Sequence, residues 1–344
     1  MRSAHLVVAS IAVLAACSRS ESLSSRRDAA DATAPTNAAV DAGHAEASRA
    51  EVVRDAAVWS RPRSGEAETV EDLYGEGLPT RGKAIGHTSV VFKVTVAPDR
   101  DAAYKPRSHR GKERFKGEIA AFRLGRALGL SNVPPAVPRR FRAADLRFAL
   151  GAATPASQLF DQEVVVEKDG IVRGALIPWI PKLEFIALES AVERARWEPW
   201  ISGSSPIPED QRVRVAQIST MIVFDFVIGN WDRWSGANIG IDRATGLLLF
   251  VDNDGAFFDP LPALPFAPQV LLMSEVSRFS RRFVAALEGT DLAAMEAALG
   301  EESPAVPLLS GGQIRAMGER RARALALVHE KIAAQGEAAV LALP

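Results

Sequence analysis

The stretch MIVFDFVIGNWDRWSGANIGIDRATGLLLFVDNDGAFF, residues 221–258, constrains the fold more than any other part of the chain. It predicts an apolar helix that ends at Gly229, a polar loop with Asp232 and Asn238, and then a tight hairpin. The second strand of that hairpin is apolar and leads directly into Asp252. Two carboxylates and one carboxamide are therefore expected at loop positions beside strands that are apolar enough to be buried.

These side chains suit phosphoryl transfer, a reaction that depends on positioning and charge neutralisation. Carboxylates and amides hold Mg²⁺ against phosphates, and one further carboxylate accepts the proton of the attacking hydroxyl. We expect Asp232 to be the proton acceptor, and Asn238 and Asp252 to be metal ligands. Simpler roles stay open at this point, because Asp252 also suits a turn after a strand and Asp232 an ion pair with Arg233.

The same chemistry requires a cation on the nucleotide phosphates, held by an acid from a neighbouring helix. Lys105 precedes a proline, which favours an extended conformation, so Lys105 is predicted to close a strand. Helical spacing of apolar residues predicts a helix over 112–130, and Glu118 lies beside its apolar stripe. A solvated lysine and an exposed glutamate are the alternatives. A glycine turn that closes over the phosphates is expected from Gly86, His87, Thr88 and Ser89.

Three motifs resemble those of the secretory-pathway kinases of the Golgi casein kinase and four-jointed type. They are GEIAAF at 117–122, IGNWDR at 228–233 and VDN at 251–253. A similarity to phosphatidylinositol 3/4-kinases and HipA-type kinases is more distant. The resemblance covers most of the chain beyond residue 68.

This resemblance implies an α+β, bilobal protein-kinase-like fold with a β-rich N-lobe and a mainly helical C-lobe. In such a fold Lys105 would contact the nucleotide phosphates, and Glu118 would orient that lysine or the metal. Asp232 would stand at the position of the catalytic aspartate, and Asp252 at that of the metal-binding aspartate. The implied cofactors are ATP and either Mg²⁺ or Mn²⁺.

Two features depart from the family pattern. In the phosphatidylinositol and HipA groups the loop asparagine usually follows the aspartate by five positions, whereas Asn238 follows Asp232 by six. Gly236 could absorb the extra residue as a bulge. Trp234 stands where relatives usually have histidine, which leaves the substrate open.

The first residues resemble a bacterial lipoprotein signal, with a basic start, a short apolar run and Leu-Ala-Ala before Cys17. Cys17 is the expected lipidation site, the alternative being a chance cysteine in an ordinary signal peptide. By analogy, Ser18 after it favours the outer membrane. We therefore expect a protein of the bacterial cell envelope that faces the periplasm or the exterior and is held to the membrane by lipid alone.

Composition divides the rest of the chain. The residues after Cys17 are rich in Ala, Ser, Asp, Glu and Arg and have almost no large apolar side chains, which predicts a disordered tether. The expected boundaries are 1–16 for the signal peptide, 17–68 for the tether, 69–178 for the N-lobe and 179–344 for the C-lobe.

Charge and composition exclude several other functions. The formal net charge is −1, so there is no electrostatic argument for binding nucleic acid. A single cysteine allows no disulfide within the chain. His87 and His109 show no metal-ligand spacing, so zinc is not expected. The sequence also contains no Gly-x-Ser-x-Gly nucleophile motif.

The expected activity is transfer of the γ-phosphoryl group of ATP to a hydroxyl of a protein, glycan or small molecule. Little ATP is present outside the bacterial cytoplasm, so two alternatives stay open. One is a pseudokinase that binds or scaffolds in the envelope, and the other is transfer of AMP on the same fold. The sequence indicates neither the substrate nor the oligomeric state.

Local patterns also predict the elements around these motifs. A single strand is expected over 82–96, and a hairpin from 163–167 and 171–177. Helices of the C-lobe are expected near 183–196, 210–228, 268–287, 292–299 and 312–334.

Overall fold

The structure is a computed structural model, and it describes residues 74–86, 89–243 and 245–344. The predictions for the signal peptide, the tether and Cys17 lie outside the described residues, as do those for His87 and Thr88. In the part of the chain that the structure does describe, we find no helix with the length and apolarity that a membrane crossing requires.

Antiparallel strands form the sheet of the N-lobe: β1 (Pro79–Ala84), β2 (Phe92–Val96), β3 (Arg100–Pro106), β4 (Val137–Arg142) and β5 (Ile171–Pro178). Their order across the sheet is β1-β2-β3-β5-β4. The prediction of a single strand over 82–96 is wrong. The N–H groups of Ile85 and Gly86 bond to the carbonyl of Val91 at 3.0 and 3.4 Å, which folds the chain back between β1 and β2.

The helices of the described residues are α1 (Phe115–Ala127), α2 (Ala143–Leu150), α3 (Pro155–Glu163), α4 (Ala191–Ser202), α5 (Arg212–Ile228), α6 (Ala263–Glu275), α7 (Arg281–Gly289), α8 (Leu292–Leu299), α9 (Gly311–Gln335) and α10 (Glu337–Val340). Short 3₁₀ turns cover Glu209–Gln211 and Arg233–Ser235. The predicted helices over 112–130, 210–228, 292–299 and 312–334 are confirmed, with ends that shift by a few residues at most.

Most of the predicted hairpin around 168–170 is absent. Helix α3, which begins with a reciprocal capping box of Thr154 and Ser157, extends into the predicted first strand at Glu163. Val164 and Val165 then pair with Ser108 and Arg107 instead of with β5. Strand β5 pairs instead with β3 and β4, so its partners are distant in sequence.

Three further strands form a small antiparallel sheet in the C-lobe: β6 (Glu184–Phe185), β7 (Ile239–Asp242) and β8 (Leu247–Phe250). The hairpin of β7 and β8 matches the prediction. The predicted helix over 183–196 is partly wrong, because β6 pairs with β7 and α4 starts only after its cap at Ser190. The predicted helix over 268–287 is two helices, since Ser280 caps a new one.

Two apolar cores lie beneath these elements. The smaller core packs the N-lobe sheet against α2 and α3, with Phe92, Tyr104 and Phe141 among its buried members. The larger core belongs to the C-lobe, yet it includes Phe115 and Ile119 of helix α1. Helix α1, which contains Glu118, is therefore packed with the C-lobe even though it lies between two strands of the N-lobe sheet in sequence.

Polar contacts also attach α1 to the C-lobe. Strands β9 (Glu301–Ser303) and β10 (Val306–Pro307) form a hairpin after α8. The buried carboxylate of Glu302 lies 3.1 Å from the Lys116 ammonium on α1 and 2.6 Å from Arg173 on β5. Further along α1, Arg123 donates to the carbonyls of Leu299 and Glu301. We call Glu302, Lys116 and Arg173 the hairpin clamp.

Candidate active site

The ammonium of Lys105 lies at the centre of a group of acids drawn from both lobes. Lys105 is the next-to-last residue of β3, and only 7% of it is exposed. Its Nζ lies 2.5 Å from Glu118 on α1, 2.7 Å from Asp252 and 3.5 Å from Asp254. Burial would lower the pKa of Lys105, but the three carboxylates outweigh burial and hold that pKa well above its usual range. The lysine is therefore a permanent cation.

Asp252 and Glu118 respond differently to the same lysine. Burial raises the pKa of Asp252, but Lys105, helped by Arg233 and Arg114, lowers it below the ordinary value. Burial also raises the pKa of Glu118, and there the two other acids add to burial, so that Lys105 does not restore the usual pKa. Of the two, Asp252 is thus the more stable anion, and its side chain is 35% exposed.

The backbone at Asp252 adopts a conformation that is rare for a residue with a side chain. Strand β8 ends at Phe250, and Asp252 then has a φ of 57°. Such left-handed residues are unfavourable and persist only when the surroundings impose them, commonly at functional sites. The turn directs one carboxylate oxygen of Asp252 to Lys105.

Two glycines allow the three chain segments of the site to approach each other. A Cβ at Gly117 of α1 would lie 2.5 Å from the carbonyl oxygen of Asn253. A Cβ at Gly255 would lie 2.7 Å from the Cβ of Asp232 and 2.9 Å from Asn230 Oδ1. Both distances are shorter than real side chains permit, so glycine is required where α1 and the Asp232 loop contact the turn at 252–255.

Asp232 lies in the loop after α5, which ends at Gly229 in a left-handed cap with a φ of 68°. The backbone N–H of Asp232 donates to Asn230 Oδ1 at 3.2 Å, and its half-buried side chain lies 3.8 Å from the guanidinium of Arg114. Burial raises the pKa of Asp232, and the charges of Asp252 and Asp254 add to the effect while Ser235 opposes it. A raised pKa makes a carboxylate a better proton acceptor.

Asn238 braces the same loop. Its Nδ2 donates to the carbonyl of Asp232 at 2.7 Å and to Ser235 Oγ at 3.2 Å. Gly236 and Ala237, directly before Asn238, have φ values of 102° and 57°. The amide nitrogen is thus used within the loop, and Oδ1 is the atom through which Asn238 would bind a metal. That role stays a prediction.

A buried ion pair holds the Asp232 loop against the turn at Asp252. Arg233 is fully buried and contacts both carboxylate oxygens of the equally buried Asp225 on α5, at 2.8 and 3.1 Å. The same guanidinium donates to the carbonyl oxygens of Asn238 and Val251 and to Asn253 Oδ1. Sequence reasoning did not identify Asp225, although an acid inside an otherwise apolar helix is a signal for a buried partner.

Asp254 and Arg114 are two further residues that sequence reasoning missed. Asp254 is buried and contacts Lys105, Arg114 and Ser89. Arg114 immediately precedes α1, and its Nη2 lies 2.5 Å from Asp254 Oδ1. Because 140 positions separate the two residues, no local pattern reveals the pair.

The predicted glycine turn lies at the same place, as far as the structure describes it. Gly86 and Ser89 belong to the segment between β1 and β2. The hydroxyl of Ser89 donates to Asp254 Oδ2 at 3.2 Å, so this segment reaches the acids around Lys105. A cavity of about 210 Å³ lies beside it and is lined by Ser89, Lys105, Ser108, Arg114 and Asp254, among others.

The donor set fits a divalent cation with a nucleotide. Among the described residues, no three His, Cys, Asp or Glu side chains are arranged to hold a metal ion alone. Mg²⁺ in nucleotide sites uses one or two carboxylates together with phosphate oxygens, a requirement that the partly exposed Asp252 meets. The group is also short of positive charge, because two cations face four carboxylates: Lys105 and Arg114 against Glu118, Asp232, Asp252 and Asp254.

Sequence comparison finds similar proteins for most of the described chain. Residues 100–239 match the family model of the four-jointed box protein middle domain. The glycosaminoglycan xylosylkinase of Danio rerio is 25% identical over 282 residues, which cover 73% of this chain and 68% of the relative. The expected resemblance is confirmed. The Homo sapiens glycosaminoglycan xylosylkinase is 25% identical over 206 residues, and the match spans 51% of this chain and about half of the human protein, 49%.

Solved structures confirm the fold class. The Golgi casein kinase superimposes with a TM-score of 0.58 at 18% identity, over 79% of this chain and 77% of the other. A hydra Fam20 structure with sugar gives 0.59 at 18% identity, over 81% and 95%. The chain thus has a kinase-like mixed α/β fold, with an N-terminal sheet and a mostly helical C-terminal part.

Proposed function

We propose that the chain is a metal-dependent kinase that transfers the γ-phosphoryl group of ATP to a hydroxyl group. The observation that supports this most strongly is the position of Lys105, whose ammonium contacts one acid from α1 and two from the turn after β8. A kinase requires this combination of a strand lysine, a helix glutamate and a metal-binding aspartate.

Each residue has a defined part in the proposed reaction. Lys105, held by Glu118, contacts the nucleotide phosphates. Asp252, together with Asn238 Oδ1, would hold the metal, which when bound neutralises charge on the phosphates. Asp232 accepts the proton of the acceptor hydroxyl, and its raised pKa suits that task. Gly86 and Ser89 cover the phosphates.

The relatives suggest both cofactor and acceptor. A structure of the Golgi casein kinase contains Mn and ADP, and it superimposes on this chain with a TM-score of 0.57. We propose ATP with Mn²⁺ or Mg²⁺ as cofactors for this chain. Glycosaminoglycan xylosylkinase and casein kinase are names of proteins that act on a glycan and on a protein, so both acceptor classes are candidates.

Nucleotide binding tests the proposal first. A ligand that binds only the folded protein raises its stability, by about 2.7 kcal/mol at a hundredfold excess over Kd. We expect ATP with Mn²⁺ or Mg²⁺ to raise the melting temperature of the wild-type protein, and Asp252→Asn to abolish the part that depends on metal. Asp99→Asn is the matched control, because Asp99 is an exposed acid in the turn between β2 and β3.

Turnover tests it next. Asp232→Asn should retain the metal-dependent shift and lose about 10²- to 10⁴-fold in turnover, the usual contribution of general acid–base catalysis. Transfer is measured with γ-labelled ATP and two acceptors, a xylose-containing glycan and casein. Labelling from α-labelled ATP instead would indicate AMP transfer. A wild-type protein whose melting temperature does not respond to nucleotide and metal would contradict the kinase and leave a binding or scaffold role.

We further propose that the protein is exported and anchored by lipid on Cys17 in a bacterial envelope membrane. The support is the sequence before Cys17 alone. Cells grown with labelled palmitate should label the wild-type protein and not Cys17→Ser. Equal labelling of both would rule out Cys17 as the lipid site.

A further inference from the structure

Arg114 connects the two halves of the candidate site. It stands at the N-terminus of α1, between the N-lobe sheet and the helix that contains Glu118. Its Nε donates to the Asp254 carbonyl at 3.1 Å, and its Nη2 lies 2.5 Å from Asp254 Oδ1. The same Nη2 lies 3.8 Å from Asp232 Oδ2. Arg114 therefore reaches both the proposed proton acceptor and the acids around Lys105.

The guanidinium is held in place without being fully used. Its Cζ lies 5.5 Å from the Trp231 ring centroid and 6.0 Å from that of Phe258. The contacts with Asp254 and Asp232 are made by Nε and Nη2, and 28% of the side chain is exposed. Aromatic rings and Asp254 thus orient a planar donor group that retains donors for a ligand.

The exposed part of Arg114 faces a space that a second cation also lines. Arg114 and Lys105 both line the cavity of about 210 Å³ together with the Ser89 hydroxyl and with the Asp254 carboxylate that holds both cations. Because Asp254 contacts both cations, their positions are linked. Two cations held in this way suit an anion with several oxygens, such as a phosphoryl group.

The proposed transfer places such a group between these residues. The acceptor oxygen forms a bond to the γ-phosphorus while the bond from that phosphorus to the β–γ bridging oxygen breaks. The electron pair leaves with ADP, and the acceptor proton passes to Asp232. Charge then spreads over the three equatorial oxygens, between the Asp232 side and the Lys105 side.

We propose that Arg114 is a catalytic residue that binds the equatorial oxygens of the transferring phosphoryl group. The inference rests on the proposed function and adds a residue to it. Lysine would be a poor substitute, because two parallel N–H bonds to a phosphoryl group require the planar guanidinium.

A mimic of the transferring group tests this without knowledge of the acceptor. Aluminium fluoride with ADP and metal imitates a phosphoryl group in transit. We expect it to raise the melting temperature of the wild-type protein beyond the effect of ADP and metal. Arg114→Ala should keep the response to ADP and metal and lose the additional rise. An equal additional rise in both proteins would overturn the role of Arg114, whereas no response of the wild type to ADP and metal would overturn the proposed function itself.

Turnover of ATP gives an independent measurement. We expect Arg114→Ala to lower kcat by about 10³-fold, at the low end for an arginine that stabilises phosphoryl transfer, with KM for ATP changed less than about threefold. Added guanidinium ion should restore at least about tenfold of the lost rate. Loss of kcat without rescue, together with an equal rise in KM, would indicate a structural role and overturn the proposal.

Two variants control for folding and for charge. Arg114→Lys keeps the charge and the long side chain, so it should fold even if Arg114→Ala does not. It should still lose most of the additional rise in melting temperature that aluminium fluoride causes in the wild type. Arg126→Ala removes an exposed arginine from the last turn of the same helix, about 18 Å away, and should match the wild type. If Arg114→Lys also matches the wild type, the requirement for a guanidinium is wrong and so is the proposal.

Discussion

Two buried ionic clusters lie next to each other in this protein, and they differ in charge and in access to solvent. The pair of Asp225 and Arg233 is neutral, and neither side chain is exposed. The other cluster surrounds Lys105, contains more acids than bases, and opens to solvent at Asp252. We call them the closed pair and the open cluster.

The difference separates a structural role from a chemical one. In the closed pair each guanidinium nitrogen of Arg233 has an acceptor, so the pair needs nothing further. In the open cluster Lys105 is shared by three carboxylates. A buried excess of acid is unfavourable unless another cation joins it, which is where a metal ion with a nucleotide would bind.

Removal of one partner from the closed pair should have the largest effect on stability. Arg233→Met leaves Asp225 as a buried charge without a cation, with the Asn230 amide as its remaining side-chain donor, and removes the donor to Asn253 and to two loop carbonyls. We expect a loss of about 3–5 kcal/mol in the free energy of unfolding. Urea unfolding followed by circular dichroism measures it.

The double variant Asp225→Leu with Arg233→Met is the matched control. Because it removes both charges, it should be more stable than Arg233→Met alone, by about 1–3 kcal/mol in the free energy of unfolding. A single variant within about 1 kcal/mol of the wild type would contradict a closed, structural pair.

Local sequence signals predicted the segments around the closed pair only in part. The helix end at Gly229, the β7–β8 hairpin and the position of Asp252 after a buried strand all depend on neighbouring residues, and the structure has them there. Arg233 was considered only as a possible partner of Asp232. Its actual partner, Asp225, lies on the helix before the loop, and the pairing depends on how the loop folds back over α5.

The contacts of the open cluster depend even more on residues that are distant in sequence. Lys105 and Glu118 were predicted from a strand end and a helix stripe. The contacts of Lys105 with Asp252 and Asp254, and of Glu118 with Asn253, span far more of the chain than any periodic pattern does. Strand β5 is a second example. It pairs with β3 and β4, a pairing that depends on the whole sheet, so the prediction of a local hairpin was wrong.

Neutralisation of one acid in the open cluster should affect stability little and activity strongly. Glu118→Gln keeps the shape and an oxygen that can accept from Lys105 and from the Asn253 N–H. We expect the free energy of unfolding to change by less than about 1 kcal/mol. Turnover should fall at least tenfold, about 1.4 kcal/mol of transition-state stabilisation, because Lys105 loses a charged partner.

The pH dependence of this variant has a defined sign. The folded protein raises the pKa of Glu118, mainly through burial, so ionisation of Glu118 disfavours the folded state. The associated stability is present at low pH and is lost as pH rises through the raised pKa. Between pH 4 and pH 7, the free energy of unfolding of Glu118→Gln, measured with urea, should therefore rise relative to that of the wild type. If the stability of Glu118→Gln instead fell relative to the wild type over that interval, Glu118 would belong to a cluster without excess acid.

The hairpin clamp should have the smallest effect, because it lies outside both clusters. Glu302→Gln removes a buried charge, but Lys116 and Arg173 keep Glu113 as a partner, and Arg173 also contacts Glu167. We expect a loss below about 1.5 kcal/mol by urea unfolding. Because the clamp holds the helix that contains Glu118, turnover should fall by less than it does in Glu118→Gln and KM for ATP should rise.

Glu301→Gln, on the same hairpin but exposed, is the control. A loss of 3 kcal/mol or more, the range of Arg233→Met, would place the clamp with the closed pair as part of the structural framework.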